Sequence, residues 1–200
     1  KKQVESTYTI ARGTLLATEQ FQGENCIFAT AYATELQPFE LKSAQLLGMP
    51  FSTPGSARVR GAQSVLKMSF STFSEQITFA QLDPAKIRLY LKGQSQHINP
   101  LYQMLLNECL NVVMVRSESD TKPVFMGSDV IQAVGFGPDD ALLPYPPSSF
   151  TGYRLLTEHF IFPEKFMFID LTRLAEYMPQ DAGMTLELYI YLKTSDIELE

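Results

Sequence analysis

The stretch Tyr153–Leu171, YRLLTEHFIFPEKFMFIDL, decides how this 200-residue chain folds. Tyr153, Leu156 and Phe160 recur at i, i+3 and i+7, the spacing of one helix face. Ser148, Ser149 and Thr151 stand just before it and can offer hydroxyls to the free N–H groups of a helix start. Pro163 has no N–H to donate and biases Phe162 away from helical backbone, so the helix is predicted to end near Ile161. Phe166-Met167-Phe168-Ile169 then runs apolar without a break and reads as a buried strand. Helix, proline corner and strand in succession make a rigid joint. Phe166, Phe168 and Leu156 are its expected core residues, joined by Leu188 and Ile190 from further along.

Outward from the joint, alternation dominates. Met184–Lys193, MTLELYIYLK, is the cleanest strand: Leu186, Leu188, Ile190 and Leu192 face one way, Thr185, Glu187, Tyr189 and Tyr191 the other. Tyrosines on the polar side fit either a second core face or an interface. Ser64–Ser71 alternates with Leu66, Met68 and Phe70 inward, and Ile87–Leu91 with Ile87, Leu89 and Leu91 inward. Thr14–Thr18, Cys26–Leu36 and Phe39–Leu47 read as a three-stranded antiparallel meander, preceded by a short strand at Thr7–Ile10. Gly48–Gly61 is a loop by its prolines and glycines. Gly93–Gln96 reads as a flexible connector, and Asn99-Pro100 as cap and first residue of a helix running through Cys109. Asn111–Val115, Val124–Met126 and Val130–Phe136 are further strands. Leu142–Pro147 is too proline-rich for a central strand. Thr172–Met178 is a short helix, and the acidic last residues are expected to fray.

Strands outnumber helices and do not alternate with them regularly enough for a parallel sheet. The expected class is α+β, mainly antiparallel β, as sandwich-like or meander sheets with two or three short helices. A soft boundary near Gly93–His97 separates a β-rich part, 1–95, from an α+β part, 96–200, within what can be one unit.

Composition narrows the function. A 45% hydrophobic content suffices for a core, and fourteen Phe and nine Tyr with no Trp suit β-rich packing. The net charge of −6, with no basic run beyond Lys1-Lys2 and Arg58-Val59-Arg60, argues against nucleic acid as partner. No apolar run approaches the roughly 20 residues of a spanning helix. Cys26 and Cys109 read as two half-buried thiols of a reducing compartment, with one disulfide as the alternative. A soluble piece of a longer cytosolic protein is the expectation.

Catalytic constellations do not emerge. His97 belongs to a polar turn and His159 to the joint helix, and neither has metal-ligand spacing around it. Asp139-Asp140 suits a turn better than a carboxylate pair. Gly135-Phe136-Gly137 lacks the Lys-Ser/Thr and the helix start of a phosphate cradle. No Gly-x-Ser-x-Gly elbow is present. Arg154 and Glu158, at i and i+4, read as a helix-surface ion pair, with an intersubunit contact as the alternative. No catalytic, cofactor-binding or metal residue is assigned, and no cofactor is expected. The rival class, a β-sandwich ligand- or carbohydrate-binding module or enzyme fragment, needs a concave site with convergent polar groups.

Val134-Gly135-Phe136, Leu142–Tyr145, Phe150–Leu156, Glu158 and Phe162–Phe166 together resemble the TssF family (ImpG or VasA) of type VI secretion baseplate subunits. The family's run is like SFxGYRLLxEYFxFPEKFxFxDL. His159 departs from it, standing where the family is expected to have Tyr. Gly13, Cys26–Thr30, Leu36-Gln37-Pro38, Ile87–Gly93 and Leu101-Tyr102 extend the likeness over most of the chain. The family's proteins are roughly three times this long, as multidomain proteins are, so the resemblance implies a central fragment. It implies a non-enzymatic wedge component on which the contractile tail grows. The implied partners are the wedge subunit TssG, TssK, the sheath-initiating subunit TssE and the spike. The implied location is the bacterial cytoplasm near the inner membrane.

Overall fold

The computed structural model of the chain describes residues 6–20, 23–146 and 148–194. Four short strands come first: β1 (Tyr8–Ile10), β2 (Leu15–Ala17), β3 (Ile27–Ala29) and β4 (Thr34–Leu36). Then follow β5 (Phe39–Gly48), β6 (Ser64–Thr72), helix α1 (Phe79–Leu82), β7 (Ile87–Tyr90), helix α2 (Ser95–Asn107) and β8 (Cys109–Val115). The rest is β9 (Val124–Gly127), β10 (Ile131–Ala133), helix α3 (Thr151–Ile161), β11 (Phe168–Leu171), helix α4 (Leu174–Tyr177) and β12 (Thr185–Leu192). Every strand pairing among the described residues is antiparallel. The fold is α+β, mainly antiparallel β with short helices.

A five-stranded sheet in the order β5-β6-β12-β8-β9 carries the core. The alternation of β12 makes it the central strand, because both of its faces find apolar cover. Leu186, Leu188, Ile190 and Leu192 pack with Leu66, Met68, Phe70, Val112 and Met114, under Met104 and Leu105 of α2. On the other face Tyr189 and Tyr191 pack with Val65, Val113 and Val115. The tyrosines therefore line a second core face. The loop between β5 and β6 covers it: the Tyr191 hydroxyl donates to the Pro54 carbonyl at 2.7 Å and lies 2.8 Å from the Thr53 hydroxyl. Gly55, at φ +89°, brings this loop so close to Phe125 and Val113 that a Cβ would stand 3.2 Å from each. Only glycine meets both demands cheaply.

A three-stranded sheet, β10-β11-β7, lies beside the first. Asp170 of β11 faces Arg88 of β7 and accepts two hydrogen bonds from its guanidinium, at 2.7 and 2.8 Å. Both sheets draw strands from each side of residue 95, the soft boundary predicted from sequence.

Several expectations change. The meander over 13–47 does not form. Cys26–Leu36 breaks at the bend of Ala31-Tyr32, so β2 pairs with β3, β1 pairs with β4, and β5 joins the large sheet. The two ribbons, three residues per strand, form an exposed arm: alternation there reflects strand geometry without a core to face. Helix α2 starts at Ser95, so Gly93–Gln96 is not a flexible connector, His97 is helical, and Pro100 lies inside the helix. Ile98 packs over Gly93, which has no Cβ to obstruct it, and the Gln94 carbonyl accepts from the His97 and Ile98 amides. That local packing outweighs the Asn-Pro start signal. Cys26 is exposed and Cys109 half-buried, and both are free thiols. Burial pushes the Cys109 thiol up to about 12, so it stays protonated. The expected fraying falls on 195–200, outside the described residues.

Candidate interaction site

The joint is where local structure and burial part company. Helix α3 begins at Thr151 with Phe150 as its cap residue, without a side-chain capping bond, so Ser148, Ser149 and Thr151 do not cap it. It ends at Ile161 with Phe162 as its C-terminal cap, as Pro163 dictates, but Pro163–Met167 turns as a 3-10 helix. The strand starts only at Phe168, two residues later than the apolar run suggests. Phe166 is buried; Phe168 is half-buried and stacks on Tyr90 at 4.7 Å.

The apolar face of α3 points outward. Tyr153, Leu156 and Phe160 are 72%, 57% and 78% exposed. Leu156 is therefore not a core residue. The opposite face carries Arg154 and Glu158, 5% and 2% exposed. They are not a surface pair, and each has its own partners. Arg154 donates to the Gly137 and Pro138 carbonyls, both at 2.8 Å. Glu158 accepts from the Leu142 amide at 2.9 Å and, through its other oxygen, from Lys165, which is 3% exposed.

The loop under α3 explains the inversion. Gly135-Phe136-Gly137-Pro138-Asp139-Asp140 is a tight turn ending in a 3-10 segment, and the Asp140 carboxylate accepts from the Gly135 and Gly137 amides at 3.1 and 3.0 Å. Covering this loop with an apolar helix face would bury backbone carbonyls and an amide with no partner. Arg154 and Glu158 satisfy them, and Lys165 neutralises the carboxylate. Gly135 is at φ +101°, and a Cβ there would sit 3.2 Å from the Lys165 carbonyl and 3.3 Å from Phe166. A side chain would push the corner off the loop. Arg154 Nε is buried without an acceptor among the described residues, a local cost the other bonds outweigh.

The arm is tied to the same knot. The Tyr32 hydroxyl, at the bend between β3 and β4, donates to the Asp140 carbonyl at 2.8 Å. Burial, then the negative charges of Glu158 and Asp140, push this phenol up to about 12, so it remains a donor.

Sequence reasoning missed Lys165 and Tyr32. A lysine directly preceding the apolar run Phe166–Ile169 was the available signal for the first. The Glu158–Lys165 pair spans the proline corner, where the α-helix has ended, so helix periodicity does not license it, and Tyr32 lies over a hundred residues from its acceptor. His97 and His159 are far from forming a pair: the first contacts Gln96, and the second packs its ring near Phe160 and Phe166. Asp139 is exposed while Asp140 closes the turn. Among the described residues no three His, Cys, Asp or Glu side chains group as metal ligands, and no helix is long and apolar enough to cross a membrane. Two surface hollows, of about 300 and 400 Å³, lie away from the joint, the second between Lys67, Glu118 and the Gly48–Thr53 segment.

What the joint offers is an aromatic and aliphatic ridge on a helix held rigidly from beneath, an arrangement suited to contact. The type VI secretion system component TssF1 of Pseudomonas aeruginosa is 31% identical over 200 residues, covering 98% of this chain and 32% of that protein. The fold matches a chain in the cryo-electron microscopy structure of the type VI secretion system TssK-TssF-TssG baseplate subcomplex, with a TM-score of 0.78 at 22% identity, over 100% of this chain and 35% of that one. The chain thus spans about a third of the length of these relatives. The family described as "Type VI secretion system, TssF" matches residues 1–200 without a gap at either end, and the chain belongs to that family.

Proposed function

We propose that this chain is a load-carrying, non-catalytic region of a type VI secretion baseplate subunit. In this reading the whole protein binds TssG and TssK, lies close to the sheath-initiating subunit TssE and the spike, and works in the cytoplasm at the inner membrane. The observation that carries it is membership of the TssF family along the entire chain. The architecture suits the task. Two sheets share a dense core, and the joint fixes a contact helix with buried charges instead of leaving it to slide on apolar packing. Buried ion pairs specify one geometry at some cost in stability, which fits a part that must hold an angle.

Co-purification tests the proposal. The full-length protein containing this region, tagged and co-expressed with TssG and TssK, is expected to retain both through size-exclusion chromatography. Retention of neither, together with saturable binding of a small ligand or sugar, would move the protein to the ligand-binding or enzyme class.

A further inference from the structure

Helix α3 cannot turn its ridge inward. Rotation would take Arg154 off the Gly137 and Pro138 carbonyls, and Glu158 off the Leu142 amide and Lys165. Lys165 would stay buried without its carboxylate, and the Gly137 and Pro138 carbonyls and the Leu142 amide would lie under an apolar face without a partner, which is far costlier than an exposed apolar side chain. The ridge is also enlarged by design of the backbone. Gly152 lacks the Cβ that would stand 2.5 Å from the Phe150 ring, so that ring folds over the first turn and meets Tyr153 edge-on at 5.7 Å. Glycine costs about 1 kcal/mol relative to alanine inside a helix. Here it admits one more aromatic to an outward face. With Ile161 and Phe162 the ridge presents six large apolar side chains along and just around one short helix.

An uncharged crest of this kind suits a permanent contact. Interfaces that form and dissolve are no more apolar overall than ordinary surface, whereas obligate ones resemble a core cut in half. Left bare until assembly, the crest would associate indiscriminately. A source of permanent cover is at hand: the chain spans 32% of its TssF1 relative, so about two thirds of such a polypeptide lies outside this region. We propose that the α3 ridge of Phe150, Tyr153, Leu156, Phe160, Ile161 and Phe162 is covered by an apolar segment of the same polypeptide, from outside residues 1–200. The ridge is then an internal contact of the longer protein and not a face it offers to other subunits. This goes beyond the assembly proposal and rests on family membership alone.

Photo-cross-linking tests it. Benzoylphenylalanine replaces Phe160, or in a second variant Leu156, in the full-length protein. Each is irradiated alone and in the presence of TssG and TssK, and cross-linked peptides are identified by mass spectrometry. The expected result is an intrachain cross-link to a peptide outside residues 1–200, present in both states and in both variants. Cross-links to a second copy, cross-links to TssG or TssK in place of the intrachain product, or no cross-link at either position would each overturn the proposal. The intrachain product is read without any partner bound, so failure of the assembly proposal would leave this result intact and separately legible.

Discussion

In the five-stranded sheet, β12 turns Leu188 and Ile190 into one apolar cluster and Tyr189 and Tyr191 into another. In α3 the inward side carries Arg154 and Glu158, and the apolar residues face out. Both elements are strongly patterned, and the difference lies in what each covers. β12 is covered by side chains, and apolar area removed from water stabilises it by about 25 cal/mol per Å². Helix α3 covers a turn whose backbone groups need hydrogen bonds, so polar residues go in and the apolar stripe is left for another surface. Amphipathicity thus identifies the two sides of a helix without saying which one faces the molecule.

Substitutions can break this contrast. The largest effect is expected at Glu158→Ala, which leaves Lys165 buried and unpaired and should destabilise the 200-residue chain by about 3–5 kcal/mol in urea unfolding. The double change Glu158→Leu with Lys165→Met should recover much of that loss. A single change with no effect would mean that the knot is not buried. Leu188→Ala at the centre of β12 is expected to cost about 2–5 kcal/mol through the cavity it leaves. Phe168→Ala should cost less, about 1–2 kcal/mol, because the ring is half-buried and loses chiefly its stacking on Tyr90. A loss near that of Leu188→Ala would restore Phe168 to the core. Leu156→Ala should change the stability of the 200-residue chain by under about 0.5 kcal/mol; a larger loss there would contradict the outward ridge.

A smaller, pH-dependent effect is expected in the β8–β9 turn. The Arg116 guanidinium donates to Asp120 at 2.6 and 2.7 Å and holds its carboxyl well below the usual carboxylate range, assisted by the Lys122 and Arg116 amides. The folded pKa lies below the ordinary value of 3.8, so the stabilisation is complete above that value and lost as pH falls beneath it. The difference in melting temperature between the protein and Asp120→Asn should be flat near neutral pH and shrink below about pH 4. A constant difference through that range would remove Asp120 as its source.

Much of the sheet was legible because its strands satisfy local and global demands at once. Leu66, Met68 and Phe70 alternate inward in β6 as their pattern predicts, and β12 pairs along its whole length with β6. The arm was misread because Cys26–Leu36 has strand propensity throughout, while the bend at Tyr32 answers to Asp140 across the molecule. The joint was half legible. Its helix end and its proline corner were set by Pro163 itself, but the buried charges were hidden because their partners are backbone groups of a distant loop.

By itself the sequence determined the class of fold, the central strand, the helix and its proline stop, and the family likeness carried by FPEKF and its surroundings. Those features depend on propensity, periodicity and residue identity, all of which act within a few residues. Only the tertiary structure decided that Arg154, Glu158 and Lys165 go inside and that Tyr153, Leu156 and Phe160 stay out. That choice depends on which unsatisfied hydrogen-bonding groups lie beneath the helix, and the chain brings those groups there only when it folds.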